Sequence, residues 1–350
     1  MDLFKRSKPL VGLDVGSSAV RAVELSKSKN GYQITGFAYE PLGPDSVVDG
    51  AIMDSRGVSS AIKRILTSGN FKGKRTAASV SGHSVIVKRV VLPVATEQEI
   101  GASIQFDADQ YIPFGLSEVN IDYQVVGPAE GDEPGMEVLM IAAKKDKIHN
   151  HTNVITMAGR KADVVDIDAF ALQNAFEANY TVSPSAAVAL LNIGASLMNI
   201  NITKGGTPLL VRDVPVGGNQ YTDILQKELQ LSFQEAEDLK LGRHGGQEVE
   251  MVQPLLQSIT DMLIMELQKT FDFFRETYPL EKISKVYICG GTARTRGLSE
   301  KIQETFEYPT EILDPLKYVT PGPKVDAGKV ATLGPSLAVA IGLALRGFDQ

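Results

Sequence analysis

A carboxylate and two hydroxyls stand close together near the start of this chain. In the stretch PLVGLDVGSSAVRAVELS, residues 9–26, Asp14 ends an apolar run and is followed by Gly16, Ser17 and Ser18. An ionised side chain is costly to bury without a partner, and glycine permits a tight turn. The stretch therefore predicts a β-hairpin whose turn carries a carboxylate, two hydroxyls and bare backbone N–H groups. Such a turn forms an anion nest suited to phosphate, and Asp14 could hold Mg²⁺ there through water.

The layout of strand, turn, strand, turn and strand occurs twice in the chain. The first copy covers residues 10–40, and the second begins near Pro184 in AAVALLNIG, SLMNINITKGG and TPLLVRDVPVGG. The two copies share little sequence identity, so they indicate a duplicated architecture. Two glycine turns, one from each copy, could hold a polyphosphate from opposite sides.

Composition narrows the classes of protein to consider. The chain has 350 residues and a formal net charge of −7, which argues against non-specific binding of nucleic acid or anionic lipid. Cys289 is the single cysteine, so neither an internal disulfide nor a cysteine-based zinc site is expected. The start lacks a signal-peptide core, and no run of about 18 apolar residues suggests a membrane span.

A compact unit follows the first copy. From near Ser84 the pattern predicts a strand, a helix, two strands around the loop PAEGDEPG, a second helix and a final strand, ADVVDID. The first of these helices begins at Thr96 with Glu99 three residues later, as in a capping box. This order is typical of a small inserted α/β domain.

Five segments resemble, in the order of the family, the nucleotide-binding motifs of the actin, chaperone and sugar-kinase superfamily. GLDVGSSAVRAVEL looks like its first phosphate loop and LNIGASLMNINI like its second, while DVPVGGNQYTDIL matches the Gly-Gly turn beside the phosphates. FQEAEDLKLG resembles the Ala-Glu-x-x-Lys signature, and ICGGTARTRGL the adenosine motif. The resemblance implies binding of ATP or ADP with Mg²⁺, and Asp14 would hold the metal ion. The residues implied to bind the nucleotide are Asp14, Gly16, Ser17, Ser18, Gly194, Ala195, Gly217, Gly218, Glu237, Lys240, Gly290, Gly291 and Thr292.

The same resemblance implies an α/β fold of the actin-like, or ribonuclease H-like, two-lobed ATPase type. An inserted small α/β subdomain resembles that of the bacterial cell-division protein FtsA. The expected first lobe is residues 1–83 together with 166–183 and the C-terminal helix 334–346. The insert is then 84–165, and the second lobe is 184–333.

Further segments look like the PilM family of type IV pilus assembly proteins. They are SVSGHSVIVKRVVLP, QFDADQYIPF, PFGLSEVNIDYQVVG and PLLQSITDMLIMELQKTFDFF. This resemblance implies a cytoplasmic scaffold at the inner face of the inner membrane, attached to the membrane only through its partners. Its partners would be the short N-terminal cytoplasmic tail of PilN and components of the pilus motor or inner-membrane platform.

One position departs from the superfamily. Where the second phosphate loop usually carries an aspartate, this chain has Asn192, which brings no charge and cannot act as a base. No catalytic residue is therefore assigned, and weak or absent hydrolysis is expected. Two alternatives stay open: an FtsA-like filament-forming protein, and a small-molecule kinase of the same superfamily.

A peptide groove is the other site that the resemblance implies. Tyr111, Ile112, Pro113 and Phe114 are candidates for its rim, because Pro113 fixes a rigid bend among large apolar side chains. The alternative is that these residues form the core of the insert and its loop.

Overall fold

The computed structural model describes residues 9–93, 97–129, 135–243 and 249–349. Within these ranges the chain forms strands and helices in alternating groups. The strands are β1 Leu10–Val15, β2 Ala19–Ser28, β3 Gly31–Pro41, β4 Val47–Val48, β5 Ala51–Ile52, β6 Arg75–Val80, β7 Val85–Leu92, β8 Val119–Pro128, β9 Met136–Lys144, β10 Lys161–Ile167, β11 Ala187–Ile193, β12 Met198–Lys204, β13 Thr207–Val214, β14 Ile283–Cys289, β15 Thr310–Ile312 and β16 Val319–Pro321. The helices are α1 Ser55–Ser68, α2 Glu97–Asp107, α3 Lys145–Met157, α4 Asp168–Asn179, α5 Gly218–Leu229, α6 Phe233–Lys240, α7 Val249–Thr277, α8 Leu298–Phe306, α9 Ala327–Leu333 and α10 Ala338–Leu345.

Two sheets repeat one topology, as the duplicated sequence layout predicts. The first has the strand order β10-β6-β1-β2-β3-β16, and the second has the order β13-β12-β11-β14-β15. In each, the first three strands of the copy form an antiparallel meander, and two later strands add in parallel beside the first. Strand β16, which lies within the predicted second lobe, pairs with β3 and extends the first sheet.

Strand β1 is covered on both faces, which explains its nearly continuous apolar sequence. Val11 and Leu13 pack among residues of α1 and α3. Leu10 packs on the opposite face among residues of α4 and α10. This alternation follows from the two-residue period of a strand.

The insert forms a sheet of its own, with the order β7-β9-β8. Its core contains Ile100 and Ile104 of α2 together with Val138 and Met140 of β9. Helix α3 instead packs against α1, and β10 pairs with β6. The second helix and last strand assigned to the insert by sequence, within 84–165, therefore complete the layers of the first lobe.

Helices α4 and α10 lie between the two sheets. A shared core joins Leu172 and Phe176 of α4 to Val188 and Leu190 of β11 and to Ile341 of α10. Among the described residues, one helical stretch, Ala327–Phe348, has the length and apolar composition of a membrane span. Since 67% of its most apolar window is buried, and α10 packs in this core, the stretch serves here as a core helix.

A glycine allows α10 to touch α4 backbone to backbone. A Cβ at Gly342 would lie 1.7 Å from the carbonyl oxygen of Ala171. We expect Gly342→Ala to lower the free energy of unfolding by about 3 kcal/mol, since overpacking against a backbone cannot relax by a rotamer change. Urea denaturation measures this change.

The matched control is Gly328→Ala. Gly328 is exposed in α9, and a Cβ there would meet only ordinary contacts, with Asp326 Oδ1 at 3.4 Å. This variant should be neutral or more stable by about 0.5–1 kcal/mol because alanine favours a helix. Equal loss of stability in both variants would contradict the backbone-contact account.

Candidate functional site

The first glycine turn forms as predicted and brings Asp14 beside an arginine. Strands β1 and β2 form a hairpin, and the Gly16 N–H donates to the Ala19 carbonyl oxygen at 3.1 Å. Asp14 lies directly opposite Arg21 in the hairpin register, and Arg21 Nη1 is 3.2 Å from Asp14 Oδ2. Burial raises the pKa of Asp14 to about 6, and the Arg21 charge opposes that rise. The candidate metal ligand is therefore a largely buried carboxylate with one cationic neighbour.

Three predicted motifs meet at the second turn. The Gly194 carbonyl oxygen accepts from the Gly218 N–H at 2.9 Å and from Thr292 Oγ1 at 2.8 Å, and the Ala195 carbonyl oxygen accepts from the Asn219 N–H at 2.8 Å. Gly217 lies so close that a Cβ there would be 2.6 Å from the Gly194 oxygen. The second turn, the start of α5 and the segment after β14 thus form one packed unit.

The glycines after β14 approach the same unit. A Cβ at Gly290 would lie 2.3 Å from the Ile193 carbonyl oxygen, and its φ of 88° also favours glycine. At Gly291 a Cβ would meet no described atom within 4 Å. Gly290 is thus required by packing, whereas Gly291 leaves open space beside the backbone.

Lys240 and Glu237 form an ion pair next to the start of α5. Lys240 Nζ donates to Glu237 Oε1, to Thr222 Oγ1 at 3.0 Å and to the Gly218 carbonyl oxygen at 3.4 Å. Burial lowers the pKa of Lys240, and the Glu237 charge opposes that change. The Ala-Glu-x-x-Lys segment is therefore in contact with the Gly-Gly turn, and Thr222 joins the two.

The two glycine turns touch each other across the cleft. Ser17 Oγ lies 2.5 Å from Ser196 Oγ. Four backbone N–H groups of these turns have no hydrogen-bond acceptor among the described residues. They belong to Ser17, Ser18, Ala195 and Ser196. Unpaired N–H groups on facing turns, with Asp14 at one side, fit the phosphates of a nucleotide and their metal ion.

A chain of side-chain amides connects the second turn to the first lobe. Asn192 Nδ2 donates to Asn199 Oδ1 at 2.8 Å, and Asn199 Nδ2 donates to Asp213 Oδ1 at 2.8 Å. The other oxygen of Asp213 accepts from the Gly82 N–H at 2.5 Å. Asn192 is thus the end of a hydrogen-bonded chain that crosses between the lobes.

Three charged residues that the sequence analysis did not single out stand between the lobes. Lys147 of α3 is buried, donates to the Gly50 carbonyl oxygen and faces Asp168 and Asp213. Burial lowers the pKa of Lys147, and these carboxylates oppose that change. Asp168 accepts from Ser79 Oγ at 2.5 Å. Each is a single residue on a separate element, so no motif spacing revealed them.

A metal ion at this place would take few ligands from the protein. Among the residues described, no group of three or more histidine, cysteine, aspartate or glutamate side chains is arranged to hold one. Mg²⁺ in nucleotide sites takes one or two carboxylates, with phosphates and water as its other ligands. Asp14 fits that arrangement.

The predicted peptide rim lies on the insert. Ile112 is 4% exposed in the core of the insert, and Tyr111 and Phe114 pack against that core. Lys144 Nζ stands 4.4 Å from the centre of the Phe114 ring, and Pro113 is exposed. The peptide-binding role of these four residues stays a prediction.

A cavity opens between the insert and the second lobe. It has a volume of about 600 Å³ and lies between β7 and β13, with the start of α4 and the end of α7 on its other sides. Both strands are at the edge of their sheets. Its apolar walls include Val85, Val87, Leu209, Val211, Phe273 and Tyr278. We call this cavity the β7–β13 groove; none of residues 111–114 lines it.

Comparison with known proteins identifies the family. A sequence model of the family described as type IV pilus assembly protein PilM matches residues 12–348. The chain belongs to the PilM family. The predicted resemblance to this family is therefore confirmed.

A solved PilM-family structure has the same fold. A chain of a "PilM-PilN type IV pilus biogenesis complex" is 26% identical, with a TM-score of 0.85; the alignment covers 97% of this chain and 99% of that one. EutJ, an ethanolamine utilization protein from Carboxydothermus hydrogenoformans, is 15% identical, with a TM-score of 0.57 and coverage of 96% and 88%. MreB5 of Spiroplasma citri, bound to AMPPNP, is 14% identical, with a TM-score of 0.52 and coverage of 96% and 95%. Together with the duplicated sheets, these likenesses confirm the actin-like α/β fold.

The raised pKa of Asp14 predicts a pH-dependent difference between the wild type and Asp14→Asn. An aspartate whose pKa is higher in the folded state stabilises the fold below its unfolded pKa of 3.8 and loses that contribution as the pH rises to about 6. Relative to the wild type, Asp14→Asn should therefore gain about 2 kcal/mol of unfolding free energy between pH 4 and pH 7. Urea denaturation across that range measures it. Parallel stability profiles would show that Asp14 ionises in the fold without cost.

Proposed function

We propose that this chain is a cytoplasmic ATP-binding scaffold of the type IV pilus inner-membrane assembly complex. In this proposal it binds the N-terminal cytoplasmic tail of a PilN partner at the inner face of the inner membrane, and it links that complex to the motor. It reaches the membrane only through partners and binds no nucleic acid, in keeping with its net charge of −7. The observation that carries the proposal is the β7–β13 groove in a PilM-family fold, because a related structure is a complex with PilN.

The groove has the features of a site for a short extended peptide. Its volume of about 600 Å³ lies within the range of ligand pockets, and its walls are largely apolar. An edge strand can accept an extended peptide through backbone hydrogen bonds, and adjacent apolar pockets then select its side chains. Here two edge strands, β7 and β13, face the same space.

Nucleotide binding belongs to the same proposal. The N–H groups of the two turns would hold the phosphates of ATP or ADP, with Asp14 on the side of the Mg²⁺ ion. Glu237 and Lys240 would contact the ribose and base, beside the open backbone of Gly291. Bound Mg²⁺ would offset phosphate charge. Hydrolysis is expected to be weak, because Asn192 is an amide committed to Asn199 and cannot act as a base.

The groove assignment predicts that a charge placed on its apolar wall weakens peptide binding. Val87 of β7 lines the groove, so Val87→Arg should weaken the binding of a synthetic N-terminal PilN peptide at least tenfold. Val91 lies on the same strand, is 54% exposed and does not line the groove. Val91→Arg should therefore bind the peptide like the wild type in calorimetric titration.

A peptide that binds both variants equally would place the PilN site elsewhere. The residues to test next would then be Tyr111 and Phe114 on the insert. A wild-type protein that binds no PilN peptide would overturn the scaffold proposal in its PilN part.

The nucleotide assignment predicts a large effect at Lys240. Lys240→Met removes the buried ammonium group beside the Gly-Gly turn and should weaken Mg-ATP binding about 10- to 100-fold, the value of a hydrogen bond to a charged group. Lys227 is 83% exposed on α5, so Lys227→Met is the matched control and should bind normally. Phosphate release from the wild-type sample should stay at background. Steady release would contradict the weak-turnover proposal.

A further inference from the structure

Asp213 belongs to both candidate sites. It lines the β7–β13 groove, and its carboxylate is also the acceptor at the middle of the chain of hydrogen bonds between the lobes. Only the side chain of Asn199 separates it from Asn192, which lies at the end of β11 just before the second turn. At this point, the groove and the second glycine turn are therefore separated by few side chains.

The carboxylate of Asp213 determines which way the amides of the chain point. The Gly82 N–H can only donate, so one carboxylate oxygen of Asp213 is its acceptor, and the other oxygen accepts from Asn199 Nδ2. Burial raises the pKa of Asp213, and these two hydrogen bonds oppose that rise by favouring the carboxylate. Asn199 must therefore turn its Nδ2 towards Asp213, which leaves its Oδ1 for Asn192. Asn192 must in turn donate through its own Nδ2.

The orientation of Asn192 matters to two of the nucleotide motifs. Asn192 directly precedes Ile193 and Gly194 of the second turn, and its side chain is half-buried at the cleft. Its Oδ1 accepts a weak hydrogen bond from Cys289 Sγ at 3.8 Å and lies 2.7 Å from the position of a Cβ on Gly290. A reversal of the amide would replace this oxygen with an N–H against the Gly290 segment.

The chain also depends on the position of the lobes. Gly82 precedes β7 at the edge of the first lobe, whereas Asp213 is on β13 of the second. The contact between Ser17 and Ser196 crosses the same cleft. One closed arrangement of the lobes therefore makes both contacts.

We propose that Asp213 is a positioning residue that couples occupancy of the β7–β13 groove to nucleotide binding through Asn199 and Asn192. This inference rests on the proposed function. A peptide in the groove holds the Gly82 and Asp213 walls together, which keeps the amide chain in one polarity and the second turn in its binding geometry. Coupling between two sites is reciprocal, so bound Mg-ATP must strengthen peptide binding by the same factor.

The experiment measures the Kd of the PilN peptide for the full chain with and without saturating Mg-ATP. In the wild type, the Kd without Mg-ATP divided by the Kd with Mg-ATP should be at least 5, which is the lower end of typical coupling between two sites. Asn199→Ser removes the middle amide of the hydrogen-bonded chain at a residue that does not line the groove, and it should reduce the ratio to about 1. Asp213→Asn offers one acceptor to two donors and should have the same effect.

Asn201→Ser is a closely matched control. Asn201 is on the same strand as Asn199, and the two are similarly buried, at 0% and 2% exposure. Asn201 also crosses to the first lobe, since its Nδ2 donates to the Ala169 carbonyl oxygen at 3.1 Å and to Gln173 Oε1 at 3.0 Å. It has no bond to the second turn, so Asn201→Ser should keep the wild-type ratio.

An NMR measurement follows the hydrogen-bonded chain of amides directly. In protein labelled with ¹⁵N-asparagine, the side-chain amide signal of Asn192 should shift when the peptide binds in the absence of nucleotide. The shift should be lost in Asn199→Ser and kept in Asn201→Ser. A purely structural role of Asn199 would not produce this pattern.

The outcomes separate the inference from the proposed function. A wild type that binds both ligands with a ratio of 1 overturns the coupling and leaves the scaffold proposal intact. A wild type that binds no peptide overturns both. Equal loss of the ratio in Asn199→Ser and Asn201→Ser overturns the role of the amide chain, because general contact between the lobes would then carry the coupling. If Asp213→Asn fails to fold, the two asparagine variants alone decide the question.

Discussion

The backbone of α10 lies directly against the backbones of β1 and α4, and the positions of both lobes depend on this contact. A Cβ at Gly12 would be 2.2 Å from the Ala340 carbonyl oxygen, and one at Gly342 would be even closer to Ala171. The same helix joins a core shared with β11 and β14 of the second sheet. Because the two sheets share one helical layer, the first strands of the two copies end on opposite sides of one cleft.

Different interactions stabilise the helical layer of α4 and α10 and the cleft between the lobes, so we expect the two regions to have different roles. The helical layer buries apolar surface, which stabilises at about 25 cal/mol per Å² and has no preferred partner. At the phosphate turns and at the groove, the contacts across the cleft include single hydrogen bonds, between Ser17 and Ser196 and between Gly82 and Asp213. Each contributes about 1 kcal/mol net, so a ligand that supplies equivalent bonds can replace them. The layer is suited to act as the hinge, and the cleft as the part that responds to ligands.

The features that could be predicted from the sequence are those that depend on local sequence patterns. Glycine turns, alternating strands and the order of the motifs gave the fold and the second turn, because each depends on neighbours along the chain. The pairing of Asp14 with Arg21 was not predicted, because it depends on the hairpin closing between Val15 and Val20, a register that the sequence pattern did not specify. The groove between β7 and β13 was not predicted either, because it forms where the edges of two separate sheets meet. Lys147, Asp168 and Asp213 likewise come together only through the tertiary fold.

The residue at position 192 can now be understood from its neighbours. Asn199 has a single donor end, and Asp213 occupies it. An aspartate at 192 would present a second acceptor to the carbonyl end of Asn199, and two oxygens held at hydrogen-bond distance without a proton repel each other. An amide at 192 removes that conflict by donating instead. The same change removes the carboxylate expected in the second phosphate loop. An ordered amide chain between the lobes and a charged second loop are therefore alternatives, and this protein has the amide chain.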